Sequence, residues 1–348
     1  MPTLPYVRLH QFVQRVFETC GAPEAEARIV ADHLLTANLV GVDSHGVIRV
    51  TQYVDDIRAR SIIPGAPVTV LNETETTAVV DGAWNFGMVT ALRAIEVALP
   101  KARRHRTACV VTRRCGHAGR LGHYTGYAAE RGFFAFGVCN SPRHGHFVLP
   151  WGGREPRLAT NPISFGVPTD FGHPIVADFS TAAAPEGKIR LYRDRGMQVP
   201  DGWIVDAEGK PTKEPGDFYG PPQGAILPFG GESGYRAYAL SLLVEILGAT
   251  LAGLDITVDQ PGNGVGFIVV DPSAFLPMSE LLPLIGKIRT YMKSSPPMPG
   301  FSEVLLPGEP EYLNAELRKH AGIPVDDIIW EKTLRCAESL GVTWETDV

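Results

Sequence analysis

The chain has 348 residues, of which 44% are hydrophobic and 20% are charged. This length and composition exclude a disordered polypeptide and a peptide-sized module, because disorder requires few apolar residues and much uncompensated charge. The net charge of −6 arises from 32 basic and 38 acidic residues, and no long basic block accompanies it. We therefore expect a small-molecule partner and no nucleic acid, since nucleic-acid binding depends on the neutralisation of phosphates.

The cysteines and the most apolar stretch bear on the compartment. The five cysteines are odd in number and form no C-x-x-C pair, which argues against a disulfide framework and a zinc ribbon. The first residues show no apolar core followed by a cleavage site, and the stretch 237–253 is interrupted by Ser241, Glu245 and Thr250. We therefore expect a reduced, cytoplasmic protein without a membrane span.

The first part of the chain alternates helical and strand patterns. Apolar residues at helical spacing predict two helices in the first sixty residues, the second after Pro23. A short strand within 76–86, a helix over 88–102 and a β-branched strand at ACVVT follow. A helix over 122–131 then precedes a strand at FFAFGVCN. The predicted order after the first two helices is strand, helix, strand, helix, strand.

The second part is rich in glycine and proline between Pro142 and Gly234, which predicts irregular backbone with short strands at ISFGVP, PIVADFS and WIVD. An amphipathic helix, the strand VGFIVVDP, a helix over 278–292 and a C-terminal helical pattern follow. This order predicts an α/β or α+β fold with helical segments at both ends. No G-x-G-x-x-G follows a strand, so an ordinary Rossmann domain is not supported.

The densest polar cluster is DSHGVIRVTQY, which begins at Asp43. If its first residues cap a helix, His45, Arg49 and Tyr53 lie four residues apart and share one face. An imidazole transfers protons near neutral pH and a guanidinium holds carboxylates, as the chemistry of a 2-oxo or 2-hydroxy acid requires. The alternative is an exposed helix face on which Arg49 pairs with Asp55 or the aspartate after it.

Two glycine-rich segments each precede a predicted helix. The segment CGHAGRLGHY begins at Cys115, and its amides together with the helix dipole would suit a pyrophosphate. The alternative is an ordinary strand-to-helix turn in which the backbone satisfies His117. The segment GAILPFGGESGYR begins at Gly224 and places Arg236 in the first turn of the next helix, near any anion held there.

Metal and hydrolase chemistry lack a complete pattern. His144 and His146 form a His-x-His pair, but no third ligand follows at a diagnostic spacing, so we predict no metal site. No G-x-S-x-G elbow is present, and neighbouring side chains on a helix diverge, so Ser44 and His45 are not interpreted as a hydrolase pair.

In this order the clusters resemble the malate/L-lactate dehydrogenase family, which also contains ureidoglycolate dehydrogenase, sulfolactate dehydrogenase and the Δ1-piperideine-2-carboxylate reductases. The likeness spans nearly the whole chain and includes the blocks GVDSHGVIRVTQYV, GHAGRLGHYTGYAAERG, ATNPISFGVP and LPFGGESGYRAYALSLLVEILGATLAG. The resemblance implies an NAD- or NADP-dependent oxidoreductase, usually a homodimer, with a largely antiparallel cofactor-binding sheet. We accordingly predict a cofactor domain over 73–289 and a helical substrate and dimerisation lobe over 1–72 and 290–348.

The resemblance also implies residue roles. His45 matches the family's proton donor, Ser44 its orienting hydroxyl and Arg49 the carboxylate clamp, whereas some members assign acid–base work to the histidine that matches His117. We predict substrate contacts at Arg49, Tyr53 and Thr160. The predicted cofactor contacts are His117, Gly119, Leu121, Asn140, Thr160, Asp178, Phe179, Ser180, Gly230, Gly231 and Arg236.

Three departures from the family pattern bear on function. Lys188 stands where some reductases have an acidic residue, so we expect no acidic relay. The segment RAYAL at Arg236 keeps the usual cation but lacks two glycines, and Ala118 gives a smaller pocket wall than the usual phenylalanine. Two alternatives to a 2-hydroxy acid dehydrogenase stay open, a cyclic imine acid reductase and a dinucleotide-binding protein without turnover.

Overall fold

The computed structural model describes residues 1–259 and 261–344, so the last four residues of the predicted 290–348 segment lie outside the described residues. The α-helices are α1 (Tyr6–Thr19), α2 (Glu24–Leu39), α3 (Arg49–Arg58), α4 (Gly87–His105), α5 (Gly122–Ala129), α6 (Glu186–Asp194), α7 (Pro215–Tyr219), α8 (Gly234–Val244), α9 (Met278–Lys293), α10 (Glu309–Ala321) and α11 (Asp327–Glu338). The strands are β1 (Thr3–Leu4), β2 (Thr69–Glu73), β3 (Thr77–Asp81), β4 (Thr107–Arg113), β5 (Phe134–Cys139), β6 (Ile163–Val167), β7 (Ile175–Phe179), β8 (Ile204–Val205), β9 (Pro211–Thr212), β10 (Ala225–Ile226), β11 (Val265–Val270) and β12 (Ile323–Pro324).

A seven-stranded sheet in the order β2-β3-β4-β11-β5-β6-β7 forms the centre of the molecule. Of its neighbouring pairs, β3–β4 is parallel and the others are antiparallel. The central strand β11 buries Val265, Phe267 and Val269 completely, because helices cover both faces of the sheet. The predicted α/β class with a largely antiparallel, non-Rossmann sheet is confirmed.

The helical N- and C-terminal segments share one hydrophobic core. Phe12 on α1 packs edge-on against Trp330 on α11, with ring centroids 5.7 Å apart, and β1 pairs with β12. The boundary predicted after residue 72 falls inside β2 and the one predicted after residue 289 falls inside α9, and the division into two domains stays a prediction. β2 carries a polar sequence at the sheet edge, so its pairing has no apolar signal.

The helix that begins with α8 lies against the sheet. It continues beyond Val244 as a wider π turn over Glu245–Ala249 and a final 3-10 turn. The 22-residue stretch 231–252 has the length and mean hydropathy that a membrane span needs, and 44% of its most apolar window is buried. Val244 and Leu247 pack with sheet residues, which is the arrangement of a core helix.

Candidate active site

The segment 43–53 does not form the single helix that its spacing predicts. Asp43–His45 is one 3-10 turn, and α3 begins only at Arg49. Between them, Gly46 packs so closely that a Cβ there would overlap the side chain of Asn38. The helix is therefore interrupted by a packing contact that only glycine allows.

Despite this break, the two candidate acid–base histidines lie together. The rings of His45 and His117 are nearly parallel, with centroids 5.6 Å apart and an interplanar angle of 20°. Ser44 Oγ lies 3.0 Å from His45 Nδ1, and the hydroxyl of Tyr53 lies 2.6 Å from His117 Nδ1. Each imidazole is thus held at Nδ1, while its Nε2 has no hydrogen bond to any described residue.

Both imidazoles are held in the neutral form. Burial, followed by the positive charges of Arg49 and Arg120, lowers the pKa of His45 to about 4. Burial, followed by Arg49 and His45, lowers the pKa of His117 well below its ordinary value. Since a neutral imidazole accepts a proton, this pair suits the removal of a hydroxyl proton near neutral pH.

The guanidinium of Arg49 is oriented by neutral groups. Its Nε donates to the carbonyl of Ser44 at 2.8 Å, and its Nη1 donates to Gln52 Oε1 at 2.6 Å. No carboxylate lies within ion-pair distance of it among the described residues, so the alternative pairing with Asp55 or Asp56 is not observed. The remaining N–H groups form a fork that can hold a substrate carboxylate.

Tyr53 lies in the core beside His117, and its predicted substrate contact stays a prediction. Its side chain is fully buried, with its ring 6.3 Å from that of Phe17. Tyr53 faces the core, and its hydroxyl reaches His117 Nδ1. Its hydroxyl has no other acceptor among the described residues, so the phenol donates to His117 Nδ1 and the imidazole proton lies on Nε2. Tyr53 is therefore a positioning residue.

In the glycine loop before α5, several backbone amides are already hydrogen-bonded to protein side chains. Three of its amides donate to side chains: Ala118 to Asn263 Oδ1 (2.9 Å), Arg120 to His33 Nε2 (2.8 Å) and Gly122 to Asp178 Oδ2 (2.6 Å). Asp178 thus occupies the helix N-terminus at which the sequence predicts a pyrophosphate. These three amides are therefore not free for a phosphate, and the predicted pyrophosphate site stays a prediction.

Two further predicted cofactor residues of this loop, Gly119 and Leu121, make packing contacts within the protein. Gly119 has a φ of +73°, and a Cβ there would overlap the imidazole of His33. Leu121 is buried in the core beside the sheet. Glycine at 119 is therefore explained by a close approach, and the Leu121 side chain faces the core rather than a ligand.

A buried hydrogen-bond network connects this loop to the other predicted clusters. Asn140 donates to Glu245 at 3.0 Å and accepts the amide of Gly264 at 2.6 Å. Asn161 donates to the same carboxylate at 2.7 Å. Asn263 donates to the carbonyl of Asn140 at 2.6 Å, besides accepting the loop amide. Asn140 therefore uses its side chain inside the protein, and only its neighbourhood borders the site.

The loops that carry the remaining predicted contacts lie side by side. The carbonyl of Thr160 accepts the amide of Thr181 at 2.9 Å, and the carbonyl of Thr181 accepts the amide of Phe229 at 3.1 Å. Phe179 is exposed and contacts Phe229, with centroids 6.3 Å apart. Ser180 Oγ closes a local turn by accepting the amide of Ala182 at 2.9 Å. The predicted residues near 160, 178–180 and 230 are thus brought together.

The start of α8 has an open surface. Gly230 and Gly231 both adopt positive φ, at 104° and 55°, and lead into the helix. Arg236 is exposed, and its Nε donates to the hydroxyl of Tyr235 at 3.2 Å. The predicted roles of these three residues toward a coenzyme stay predictions.

Four residues that hold the site together were missed from the sequence: His33, Asn161, Glu245 and Asn263. Glu245 had a visible signal, since it is a lone carboxylate in the apolar stretch 237–253. Burial raises its pKa, while hydrogen bonds from Asn161 and Asn140 act in the opposite direction. His33 and Asn263 show their roles only once distant segments are packed together.

A cleft of about 810 Å³ opens beside the glycine loop. Arg120, Gly122 and His123 line one wall, and Tyr312 and Lys319 on α10 line another. This volume lies in the range of small-molecule and cofactor sites. Among the described residues, the lining of this cleft does not include His45, Arg49 or His117. The two neutral imidazoles and the guanidinium are the groups that proton transfer and carboxylate binding use.

Comparison with known proteins identifies the family. The malate/L-lactate dehydrogenase family model matches residues 4–333. The chain is 34% identical over 350 residues to malate dehydrogenase of Pyrococcus horikoshii, which covers 97% of this chain and 96% of that protein. The chain belongs to the malate/L-lactate dehydrogenase family, as the sequence motifs imply.

Similar solved structures agree with this family assignment. Sulfolactate dehydrogenase from Methanocaldococcus jannaschii superposes with a TM-score of 0.90 at 30% identity, covering 99% of this chain and 98% of that one. Δ1-piperideine-2-carboxylate reductase from Pseudomonas syringae superposes with a TM-score of 0.84 at 28% identity, covering 97% and 100%. The protein is an oxidoreductase that acts on the CH–OH group of hydroxy acids with a nicotinamide coenzyme.

Proposed function

We propose that the protein transfers a hydride between NAD or NADP and C2 of a small 2-hydroxy or 2-oxo acid, with His45 as the proton-transfer residue and Arg49 as the carboxylate clamp. The observation that carries this proposal is the pairing of His45 with His117, each held at Nδ1 and both within the field of Arg49. The coenzyme, when bound, supplies or accepts the hydride. The 810 Å³ cleft and the buried guanidinium of Arg120 fit a ligand of that size and charge.

Arg49 binds and orients the substrate. Its contacts with Ser44 and Gln52 restrain the guanidinium before the substrate arrives, so less rotational freedom is lost on binding. The free N–H groups hold the carboxylate in two parallel hydrogen bonds, which also fixes the direction of the C2 substituents.

His45 and His117 have complementary tasks at the substrate oxygen. When His45 donates its Nδ1 proton to Ser44 Oγ, its Nε2 is free to take the hydroxyl proton during oxidation. Because Tyr53 donates to His117 Nδ1, His117 presents an N–H at Nε2 and can donate a hydrogen bond to the same oxygen. One imidazole thus accepts a proton while the other orients the oxygen.

The test is an oxidation screen of NADH and NADPH with purified protein over monocarboxylate and dicarboxylate 2-oxo acids and cyclic imines. We expect consumption of one or both coenzymes with at least one 2-oxo acid. Coenzyme binding, seen as a change in NADH fluorescence, without consumption across the whole panel would contradict the proposal and favour a binding protein without turnover.

The likeness to Δ1-piperideine-2-carboxylate reductase supports a second candidate, reduction of a cyclic imine acid. Arg49 would hold the carboxylate equally well, and the acceptor would be C=N instead of C=O. Lys188 stands where an acidic relay residue is expected in some reductases, which favours the 2-oxo acid. Faster turnover of the cyclic imine than of every 2-oxo acid in the same screen would reverse this order.

We also propose that the protein is a cytoplasmic homodimer. All five cysteines are free thiols, as suits a reducing compartment. Apolar side chains on the α8 helix and its extension are between 42% and 59% exposed at Leu242, Leu243, Ile246 and Leu251, and a second copy would cover them. Light scattering coupled to size exclusion should give twice the monomer mass, and Leu243→Glu should lower it.

A further inference from the structure

The short segment that carries Ser44 and His45 is not part of a longer helix. It is the 3-10 turn Asp43–His45, and α3 begins only at Arg49. The imidazole of His45 has one side-chain hydrogen bond among the described residues, to Ser44 in the same turn. The placement of both side chains therefore depends on what holds the turn.

Arg318 on α10 binds the first residue of this turn, Asp43, with both ends of its guanidinium. Its Nη1 lies 2.7 Å from Asp43 Oδ1, and its Nη2 lies 3.2 Å from Oδ2. Nη1 also donates to the carbonyl of Asn38 in the last turn of α2. Only 17% of the Arg318 side chain is exposed. A two-point bond of this kind fixes the direction of the carboxylate, unlike a single contact between exposed charges.

Asn38 holds the same turn from its other side. Its Nδ2 donates to Asp43 Oδ1 at 2.7 Å, and its Oδ1 accepts the amide of Val47 at 2.8 Å. Asn38 is 3% exposed, so both bonds are shielded from water. Because these bonds lie on either side of Ser44 and His45 in the sequence, the turn is tied at both ends.

Helix α10, which supplies Arg318, is itself held firmly. It contacts the same segment at a second point, since Gly41 has a φ of +86° and a Cβ there would lie 2.9 Å from Asn314 Nδ2. At the start of α10, Glu309 binds Arg289 at 3.3 Å and Lys293 at 2.8 Å, both on α9. One residue after its end, β12 pairs with β1. The helix is therefore a rigid support for the turn.

We propose that Arg318 is a positioning residue for proton transfer, because through Asp43 it sets the place of Ser44 and His45. The proposal rests on the proposed function for the role of His45. The carbonyl of Ser44 also accepts Nε of Arg49 at 2.8 Å, so a displaced turn would disturb the carboxylate clamp as well. A displacement of about 1 Å at reacting groups lowers turnover by about 10²-fold.

The test compares Arg318→Met with the wild type and with Arg103→Met. Arg103 binds the buried carboxylate of Asp271 at 3.1 Å, beside the end of β4 that is opposite to the His117 loop. Its variant therefore controls for the loss of an arginine–aspartate pair between distant segments. The measurements are kcat, the Kd of NADH, and the His45 ring signal in an NMR spectrum of histidine-labelled protein, which is assigned by its absence in His45→Ala.

We expect Arg318→Met to lower kcat about tenfold or more, to leave the Kd of NADH unchanged and to shift the His45 signal. Arg103→Met should leave all three unchanged. A kcat of Arg318→Met within twofold of the wild type, or an equal loss in Arg103→Met, would overturn the proposal. Should Arg318→Met fail to fold, Arg318→Lys decides, because it keeps the charge but loses the fork. A threefold or larger loss of kcat then supports the positioning role, and a smaller loss contradicts it.

Asp43→Asn tests whether the effect passes through the carboxylate. This variant should also lower kcat, and combining it with Arg318→Met should cause less than a twofold further loss, because two residues that act as a unit are not additive. If the two losses multiplied, Arg318 would act by another route and the proposal would be wrong.

This proposal and the proposed function fail in different ways. Normal turnover of 2-oxo acids by the wild type, with unchanged kcat in Arg318→Met, would refute the positioning role alone. A shift of the His45 signal in Arg318→Met but not in Arg103→Met, without turnover of any substrate by the wild type, would refute the proposed reaction. Arg318 would in that case still set the place of His45.

Discussion

Two polar regions meet at the loop that carries His117, and they differ in what their groups are bonded to. On the open side, His45, His117 and Arg49 each keep nitrogen atoms that contact no hydrogen-bond partner among the described residues. On the closed side, Asn140 and Glu245 direct their polar atoms to other protein groups. The groups on the open side are therefore available to bind a ligand, whereas the groups on the closed side fix the loops around that site.

Two buried side-chain atoms on the closed side, His33 Nδ1 and Asn161 Oδ1, have no hydrogen-bond partner among the described residues. Asn161 adopts a φ of 40°, and its side-chain oxygen is buried without a partner among the described residues. Its amide nitrogen binds Glu245 and the hydroxyl of Ser241, at 2.7 and 2.9 Å. Glu245 itself begins the wider π turn, a feature often found near functional sites. The network thus holds a strained residue next to Thr160.

The strongest test of this comparison removes an imidazole from the open side. His45→Ala should lower kcat by ~10²–10⁴-fold, because the group that takes the hydroxyl proton is lost. The Kd for NADH and the free energy of unfolding should change little, since His45 bonds only to Ser44. Steady-state kinetics, fluorescence titration and urea unfolding measure the three quantities.

The matched variant is His117→Ala. If kcat is unchanged in His45→Ala and falls by the same factor in His117→Ala, the proton-transfer role belongs to His117. If His45→Ala lost as much stability as a core substitution, His45 would support the fold like the closed-side residues. The distinction between the two regions would then not hold for His45.

A substitution on the closed side should act on stability. Glu245→Ala leaves the side-chain amide of Asn140 without its acceptor in a buried site, whereas Asn161 keeps its bonds to Ser241. The one orphaned group costs about 1–3 kcal/mol. Urea unfolding should show this loss, and Glu316→Ala, which removes only an exposed pair with Lys319, should unfold at the same urea concentration as the wild type. Unchanged unfolding of Glu245→Ala would show that the network does not support the fold.

Lowering the pH should reduce the free energy of unfolding through His45, which lies on the open side. The folded-state pKa of His45 is about 4, against an ordinary value of 6.5. Between these values the unfolded chain binds a proton that the folded chain does not, so the free energy of unfolding falls as pH drops below 6.5. The stabilisation is fully present above pH 6.5. Each such histidine contributes up to about 1.4 kcal/mol per pH unit within this window.

Urea unfolding at several pH values from 7.5 to 4.5 measures this slope. His45→Ala should make it shallower than in the wild type, because one of the contributing imidazoles is gone. An identical slope in the two proteins would mean that His45 titrates normally in the folded state, and the neutral-imidazole mechanism would lose its basis.

The sequence predicts features that depend on contacts between nearby residues better than features that depend on contacts between residues far apart in the chain. The strands β3, β4, β5, β6, β7 and β11 have β-branched or aromatic runs that identify them locally, and the family motifs identify His45, His117 and Arg49. The interruption at Gly46 depends on Asn38, which spacing within 43–53 does not reveal. A local pattern therefore predicts elements better than it predicts which groups remain free.

The glycine loop shows the same limit more sharply. Three of its amides donate to Asp178, His33 and Asn263, which lie 56, 87 and 145 positions away from them along the chain. A glycine-rich turn before a helix has the same sequence whether its amides face a phosphate or protein side chains. Only the packed structure distinguishes the two.

The smallest effect is expected from a substitution of Tyr53. This residue is buried like those of the closed side, and it is hydrogen-bonded to His117 on the open side. Tyr53→Phe keeps the ring packing against Phe17 and removes only the hydroxyl, so the free energy of unfolding should fall by about 0.5–1.5 kcal/mol. His117 would then be free to change tautomer, and kcat should fall by about two- to tenfold with the Kd of the coenzyme unchanged. Tyr219→Phe is the control, since it removes a hydroxyl bonded to Glu186 in another part of the molecule and should leave kcat unaltered. A kcat for Tyr53→Phe equal to that of the wild type would show that His117 keeps its orientation without the phenol, and Tyr53 would then belong to the core alone.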